Sequence, residues 1–199
     1  MPEEASTGQF TFYYDIGSPY AWVVAERLAQ EFPEAEWTPV LQPDVDDGPL
    51  WDGDEERIWD FTKKFGLIDP RFNEDRMNLT IADTRKMALA ATYAKSIGRS
   101  VAFSLAAFRQ CFGAARPVDE EDTILLAAAA CEMHPRAVLQ ALDMQSTKDS
   151  LAAAGAALRE QVTDGRTELP TIVGPGGVHL YEDELFRVAI AEFSELKPA

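Results

Sequence analysis

Ser18 and Pro19 follow an apolar run, Phe10 to Tyr14, and precede a helical pattern that contains Tyr20, Ala21 and Trp22. Ser18 sits where an N-cap belongs and Pro19 where the first helical residue belongs. A strand, a sharp turn and a helix N-terminus follow from that spacing. Such a terminus stabilises an anion, a thiolate or a carboxylate, through its orphan N–H groups and the helix dipole. The Ser18 hydroxyl can add one donated hydrogen bond. Ordinary helix capping by Ser18 accounts for the same residues. The chain has two cysteines, Cys111 and Cys131, far apart and each inside an apolar helical pattern. That placement predicts buried, inert thiols. Neither lies in the Ser18 turn, and thiol–disulfide exchange there would need a thiolate.

The two histidines, His134 and His179, have no partner at metal-ligand spacing, and no metal site is expected. There is no phosphate-binding loop, dinucleotide fingerprint or nucleophile elbow. Trp51, Trp59 and Phe61 would serve either as core or as flanks for an aromatic substrate.

Elements must position the turn. Phe10 to Tyr14 reads as a buried strand, Pro19 to Phe32 as a helix and Glu36 to Leu41 as a second strand. Residues 44 to 54 read as a loop, and a helical block follows: Asp54 to Phe65, Thr80 to Ile97 with Gly98 as its stop, and a helix capped by Ser100. Further helices are predicted from Asp119, from Pro135 to Leu142 and from Thr147 to Val162. Residues 69 to 78 are poorly patterned and read as loop. Short strands at Thr171 to Val173 and Val178 to Tyr181 flank a Gly-Pro-Gly-Gly turn, and a last helix runs from about Glu182 to Leu196. The order is β-α-β, a helical block, then α-β-β-α. That order resembles an α/β thioredoxin-like fold, residues 1–52 and 147–199, with an all-helical insertion, residues 53–146.

Composition sets further bounds. The chain has 199 residues, 46% of them hydrophobic, and a net charge of −16. The charge argues against nucleic acid and anionic membrane as partners. No stretch approaches a membrane-spanning length, and the acidic N-terminus is unlike a signal peptide, so cytoplasmic residence is expected. Seven acids lie between Asp44 and Glu56, whereas Arg57 to Arg116 holds eleven Lys/Arg against five Asp/Glu. That basic excess is either the solvated side of ordinary helices or a lid over an anionic ligand. Lys63, Lys64, Arg85 and Arg109 are its candidate members.

The segment Asp15, Ser18, Pro19, Tyr20, Ala21, Trp22 resembles the active-site turn of the DsbA-like branch of the thioredoxin superfamily. The nearer likeness is to 2-hydroxychromene-2-carboxylate isomerases and kappa-class glutathione transferases. Leu169-Pro170-Thr171 looks like the superfamily's cis-proline loop, and the stretch Ala106 to Gln110 followed by Phe112 looks like its helical region. The resemblance implies an enzyme that uses glutathione or another low-molecular-weight thiol to isomerise or conjugate an aromatic or polyketide-like small molecule. Ser18 would be the catalytic residue. Leu169 and Pro170 would hold the cofactor backbone and Asp183 its amine, with Tyr20 and Trp22 against the substrate. Read without the resemblance, Pro170 is an ordinary trans proline and Asp183 a helix N-terminal acid.

The likeness has gaps. Arg166-Thr167-Glu168-Leu169 replaces the usual Gly-Val-Phe-Gly before the proline. Near the last helix Tyr181 and Glu184 stand where Gly and Arg are usual. These departures motivate a second reading, a small-molecule-binding protein that kept the fold without the chemistry. A disulfide oxidoreductase ranks third, for want of a cysteine in the turn. A homodimer is left open.

Overall fold

A computed structural model describes residues 10–31, 33–42, 55–64, 84–162, 169–174 and 177–180. Residues 44–54, residues 69–78, and the last helix with Tyr181, Asp183 and Glu184 lie outside the described residues.

The first strand, β1 (Thr11–Tyr14), is a run of β-branched and aromatic residues suited to a pleated, buried position. It leads through a turn into α1 (Pro19–Glu31). The chain returns as β2 (Glu36–Pro39), parallel to β1 with Phe12 opposite Trp37 and Tyr14 opposite Pro39. The helices follow in order: α2 (Glu55–Lys64), α3 (Arg85–Ser96), α4 (Ser100–Phe108), α5 (Glu121–Ala130), α6 (Pro135–Asp143) and α7 (Gln145–Gln161). Then β3 (Thr171–Gly174) pairs antiparallel with β1, and β4 (Gly177–Leu180) pairs antiparallel with β3. The four-stranded sheet runs in the order β2-β1-β3-β4. This is the α/β architecture expected from the sequence, a thioredoxin-like sheet interrupted by helices.

Alternation of side chains along the strands assigns the two faces. Phe12, Tyr14, Trp37 and Ile172 join α1 and the insertion helices in the main core. Tyr13, Val40 and Leu169 pack with Leu158 of α7 in a smaller cluster. Every residue from Pro19 to Glu26 is buried. A helix buried all round suits an element held between a sheet and other helices, rather than a surface helix with one apolar stripe.

Local expectations differ from the structure at several points. The third helix begins at Arg85, with Thr84 before it, rather than at Thr80. The second strand ends at Pro39, not Leu41, and the chain then bends so that the Gln42 N–H reaches Asp15 at 3.1 Å. Ser100 is the first residue of α4 rather than its cap. Gly98, at φ +72°, ends α3 as expected, but the chain restarts as a helix at once, with Arg99 in the cap position. The freed Ser100 hydroxyl donates to the Trp37 carbonyl on the outer edge of β2. Pro39 lacks an N–H, so both residues blunt that edge against further pairing. The fifth helix begins at Glu121 with Glu120 as its cap, two residues after Asp119, and α7 begins two residues before Thr147.

Candidate active site

The turn after β1 is built by hydrogen bonds to two residues. The Ser18 N–H donates to the Asp15 carbonyl at 3.1 Å, and the Gly17 N–H donates to Asp15 Oδ1 at 2.9 Å. Ser18 then caps α1: its Oγ accepts the Ala21 N–H at 3.3 Å, and its carbonyl accepts the Trp22 N–H at 3.2 Å. Pro19 occupies the first helical position, where no N–H is needed. Fewer orphan donors therefore face outward than the sequence pattern suggests, because Ser18 takes one for itself.

Asp15 and Ser18 are both 0% exposed. The Asp15 carboxylate gathers three chain segments. Besides Gly17 it accepts from the Gln42 N–H after β2, and Thr84 Oγ1 at the start of α3 donates to Oδ2 at 3.2 Å. A buried carboxylate requires such donors, since desolvating it alone costs several kcal/mol, roughly.

The Leu169–Pro170 bond is cis, and both residues are buried. Tyr13 pairs with Thr171 across the antiparallel β1–β3 ladder. Pro170 directly precedes Thr171 and so lies toward the end of β1 that leads into the Ser18 turn. The structure thus brings Ser18, Tyr20, Leu169 and Pro170 to one end of the sheet. Tyr20, at 3% exposure, lies in the first turn of α1. Asp183 lies outside the described residues.

Trp22 is committed to packing. Its ring stacks on Phe112 with centroids 5.9 Å apart, and its Nε1–H donates to Glu26 Oε1 at 3.3 Å. Ser18, Trp22 and Glu26 are spaced i, i+4, i+8 and so line one stripe of α1. Opposite them α4 passes into one turn of π-helix, Arg109–Gly113. Arg109 donates from Nε and one Nη to the two Glu26 oxygens, both at 2.7 Å. That bidentate pair raises the Arg109 pKa, the hydrogen bonds to Glu26 being the main cause. Of the expected basic lid, Arg109 is therefore taken up by Glu26, and Lys63 lies 3.8 Å from Asp60 on an exposed part of α2. Arg85 is exposed, and the Lys64 side chain is outside the described residues. Trp59 is 37% exposed rather than core.

The other chemistry-bearing residues are structural. Both cysteines are free and buried. Burial pushes the Cys111 thiol up to about 12, and Cys131 is also raised, with its Sγ–H on the Ala127 carbonyl. His134 caps α6, its Nδ1 accepting the Arg136 N–H. Among the described residues no group of three or more His, Cys, Asp or Glu could hold a metal, and no helix is long and apolar enough to cross a membrane. A cleft of about 310 Å³ lies beside the edge strand, between Thr38, Lys95 and Ser150, and does not include Ser18.

Sequence reasoning missed Thr84 and Gln42. The residue pattern places Thr84 inside a helix begun at Thr80, whereas α3 starts at Arg85, and nothing in the sequence joins Thr84 to Asp15.

The chain has a DsbA-like thioredoxin fold with a helical insertion. It takes the form also seen in 2-hydroxychromene-2-carboxylate isomerase. A solved structure of that isomerase is 18% identical, with a TM-score of 0.74 over 92% of this chain and 93% of the other. A probable DsbA oxidoreductase from Streptomyces coelicolor is 15% identical, at 0.67 over 96% and 92%. The cytosolic disulfide reductase DsbM from Pseudomonas aeruginosa, solved with GSH, is 13% identical, at 0.63 over 94% and 96%. No family model matches the sequence, and no curated protein matches it.

The Ser18 hydroxyl keeps a proton of its own. The Ala21 N–H uses a lone pair of Ser18 Oγ, and the hydroxyl proton is left to donate. Among the described residues no acceptor takes that proton.

Proposed function

We propose that this protein is a thiol-dependent enzyme of the DsbA-like class, acting on an aromatic or polyketide-like small molecule as an isomerase or transferase. A low-molecular-weight thiol of the glutathione type supplies the nucleophile in this chemistry. Ser18 donates its hydroxyl hydrogen to the ligand sulfur, and the N-terminus of α1 favours the ionised form there. The backbone of Leu169 pairs with the cysteinyl backbone of the ligand, as in strand addition, and Pro170 shapes that loop. Asp183 takes the ligand's amine. Tyr20 borders the substrate, with Trp22 holding the wall behind it.

The observation that carries this reading is the convergence of a buried, proton-bearing Ser18 hydroxyl and the Leu169–Pro170 segment at one end of the sheet. A buried hydroxyl makes a stronger hydrogen bond than one in water. Calorimetric titration with glutathione and several other small thiols tests it. At least one thiol should bind, and Ser18→Ala should weaken that binding. Absence of binding by every thiol would remove the reading.

Full burial of Ser18, together with its Ala21 bond, favours a second reading. In it Ser18 is a cap only, and the fold serves to bind a small molecule. Under that reading Ser18→Ala lowers stability and leaves ligand binding unchanged.

A further inference from the structure

The geometry points to Thr84 as a positioning residue for the Ser18 turn, supplied by the helical insertion and acting through the Asp15 carboxylate. This deepens the thiol-site reading above and rests on it for its functional consequence.

Thr84 stands where a capping residue stands, one position before α3, yet its side chain makes no capping bond. A threonine there ordinarily accepts an N–H of its own helix, and that bond is worth about 1 kcal/mol. Thr84 instead turns its hydroxyl to Asp15 Oδ2, 69 residues away. Its backbone carbonyl still accepts the Ala88 N–H, so the helix is intact. The side chain has been given to the turn rather than to the helix. Thr84 is 0% exposed, and so is its acceptor.

The consequence passes through one carboxylate. Oδ2 receives Thr84 Oγ1 and the Gln42 N–H, while Oδ1 receives the Gly17 N–H, and the Asp15 carbonyl receives the Ser18 N–H. Rotation of the carboxylate about its χ2 bond moves both oxygens together. A bond that fixes Oδ2 from the insertion side therefore fixes Oδ1, and with it Gly17 and the residue after it. Thr84 also supplies a charge-assisted hydrogen bond to the Asp15 anion. Without that donor, more of the negative charge would act on an anionic sulfur at Ser18, which opposes ionisation of a bound thiol.

The test uses the full-length protein and three variants: Thr84→Val, which keeps the shape and removes the hydroxyl, Thr84→Ser, which keeps the hydroxyl, and Asp15→Asn. Amide hydrogen exchange is followed by NMR at Gly17, Ser18 and Gln42, with the β1–β3 ladder amides as the measure of global stability. Glutathione binding is titrated against pH in parallel.

Thr84→Val should speed exchange at Gly17 and Gln42 by roughly tenfold beyond any change in the ladder amides, the size expected for one lost charge-assisted bond. It should also shift the pH profile of glutathione binding upward. Asp15→Asn should speed the same exchange but shift the pH profile downward, because it removes the negative charge itself, and Thr84→Ser should restore wild-type behaviour in both. The inference is overturned if the turn amides change only in step with the ladder, or if Thr84→Ser behaves as Thr84→Val. Should wild type bind no glutathione, the thiol reading falls, while the exchange data still decide whether Thr84 positions the turn.

Discussion

Arg109 grips the Glu26 carboxylate from the π-helical turn, two hydrogen bonds of 2.7 Å joining the insertion to α1 two turns beyond Ser18. The Glu26 side chain is 11% exposed and that of Arg109 59%. Removing Arg109 leaves a nearly buried carboxylate with the Trp22 N–H at 3.3 Å. Arg109→Ala should therefore cost about 1 kcal/mol, the upper end for a pair with one solvated partner. Arg109→Lys should recover only part of that, since an ammonium cannot form the two-pronged contact. Urea denaturation of the three proteins at low and high salt measures it, and equal midpoints would show the pair to be inert.

Ser18→Ala removes the acceptor of the Ala21 N–H at the start of α1. The expected loss is about 1 kcal/mol. Ser18→Asn, which retains a capping acceptor, should recover most of the stability without restoring thiol binding. Thermal or chemical unfolding beside the calorimetric titration separates the cap from the ligand donor.

Cys111 should resist alkylation in the folded protein. With its thiol near 12, roughly one molecule in ten thousand is thiolate at pH 8. Iodoacetamide should label it only after denaturation. Fast labelling under native conditions would contradict the burial.

The same group predicts an alkaline loss of stability. The folded state holds the Cys111 proton to about 12, whereas the ordinary value is 9.0. Above pH 9 the unfolded chain therefore releases a proton that the folded chain keeps. Unfolding is favoured as pH rises, by about 1.4 kcal/mol per pH unit for each such group. Tyr14, raised to about 12 from 10.0 by burial, adds the same slope above pH 10. Urea midpoints at pH 8, 9.5 and 10.5 should fall with increasing steepness, and Cys111→Ala should flatten the first part of the fall.

Tyr14 Oη and Ser104 Oγ lie 2.6 Å apart in the core. Tyr14→Phe leaves the Ser104 hydroxyl without that partner, at a cost of about 1–2 kcal/mol. Combined with Ser104→Ala it should cost less than the sum of the single changes, because the second change removes the orphan. Strict additivity would show the two groups to be uncoupled.

Much of this molecule was legible along the chain. Ser18, Pro19 and the apolar run before them identify a strand, turn and helix start, because capping and strand propensity act over a few residues. Gly98 marks the end of α3 for the same local reason, and the apolar patterns around Cys111 and Cys131 announce buried thiols. The β-α-β start, the helical block and the two short strands after it follow from periodicity, and the resemblance of the Ser18 turn and Leu169-Pro170-Thr171 names the fold. What could not be read were the partners of polar side chains. Ser100 carries a capping signature and Thr84 reads as part of a helix begun at Thr80, yet each gives its hydroxyl elsewhere, to Trp37 and to Asp15. Arg109 reads as one cation among eleven until Glu26, 83 residues away, is found beside it.

Local sequence thus determined the elements, the turn and the inertness of the thiols. Tertiary structure decided which polar groups meet: Thr84 with Asp15, and Arg109 with Glu26. The physical reason is range. Backbone preference and capping are settled within one helical turn. A buried hydrogen bond is chosen by whichever donor the packing of distant apolar faces carries to within about 3 Å, where leaving it unmade costs more than the local alternative.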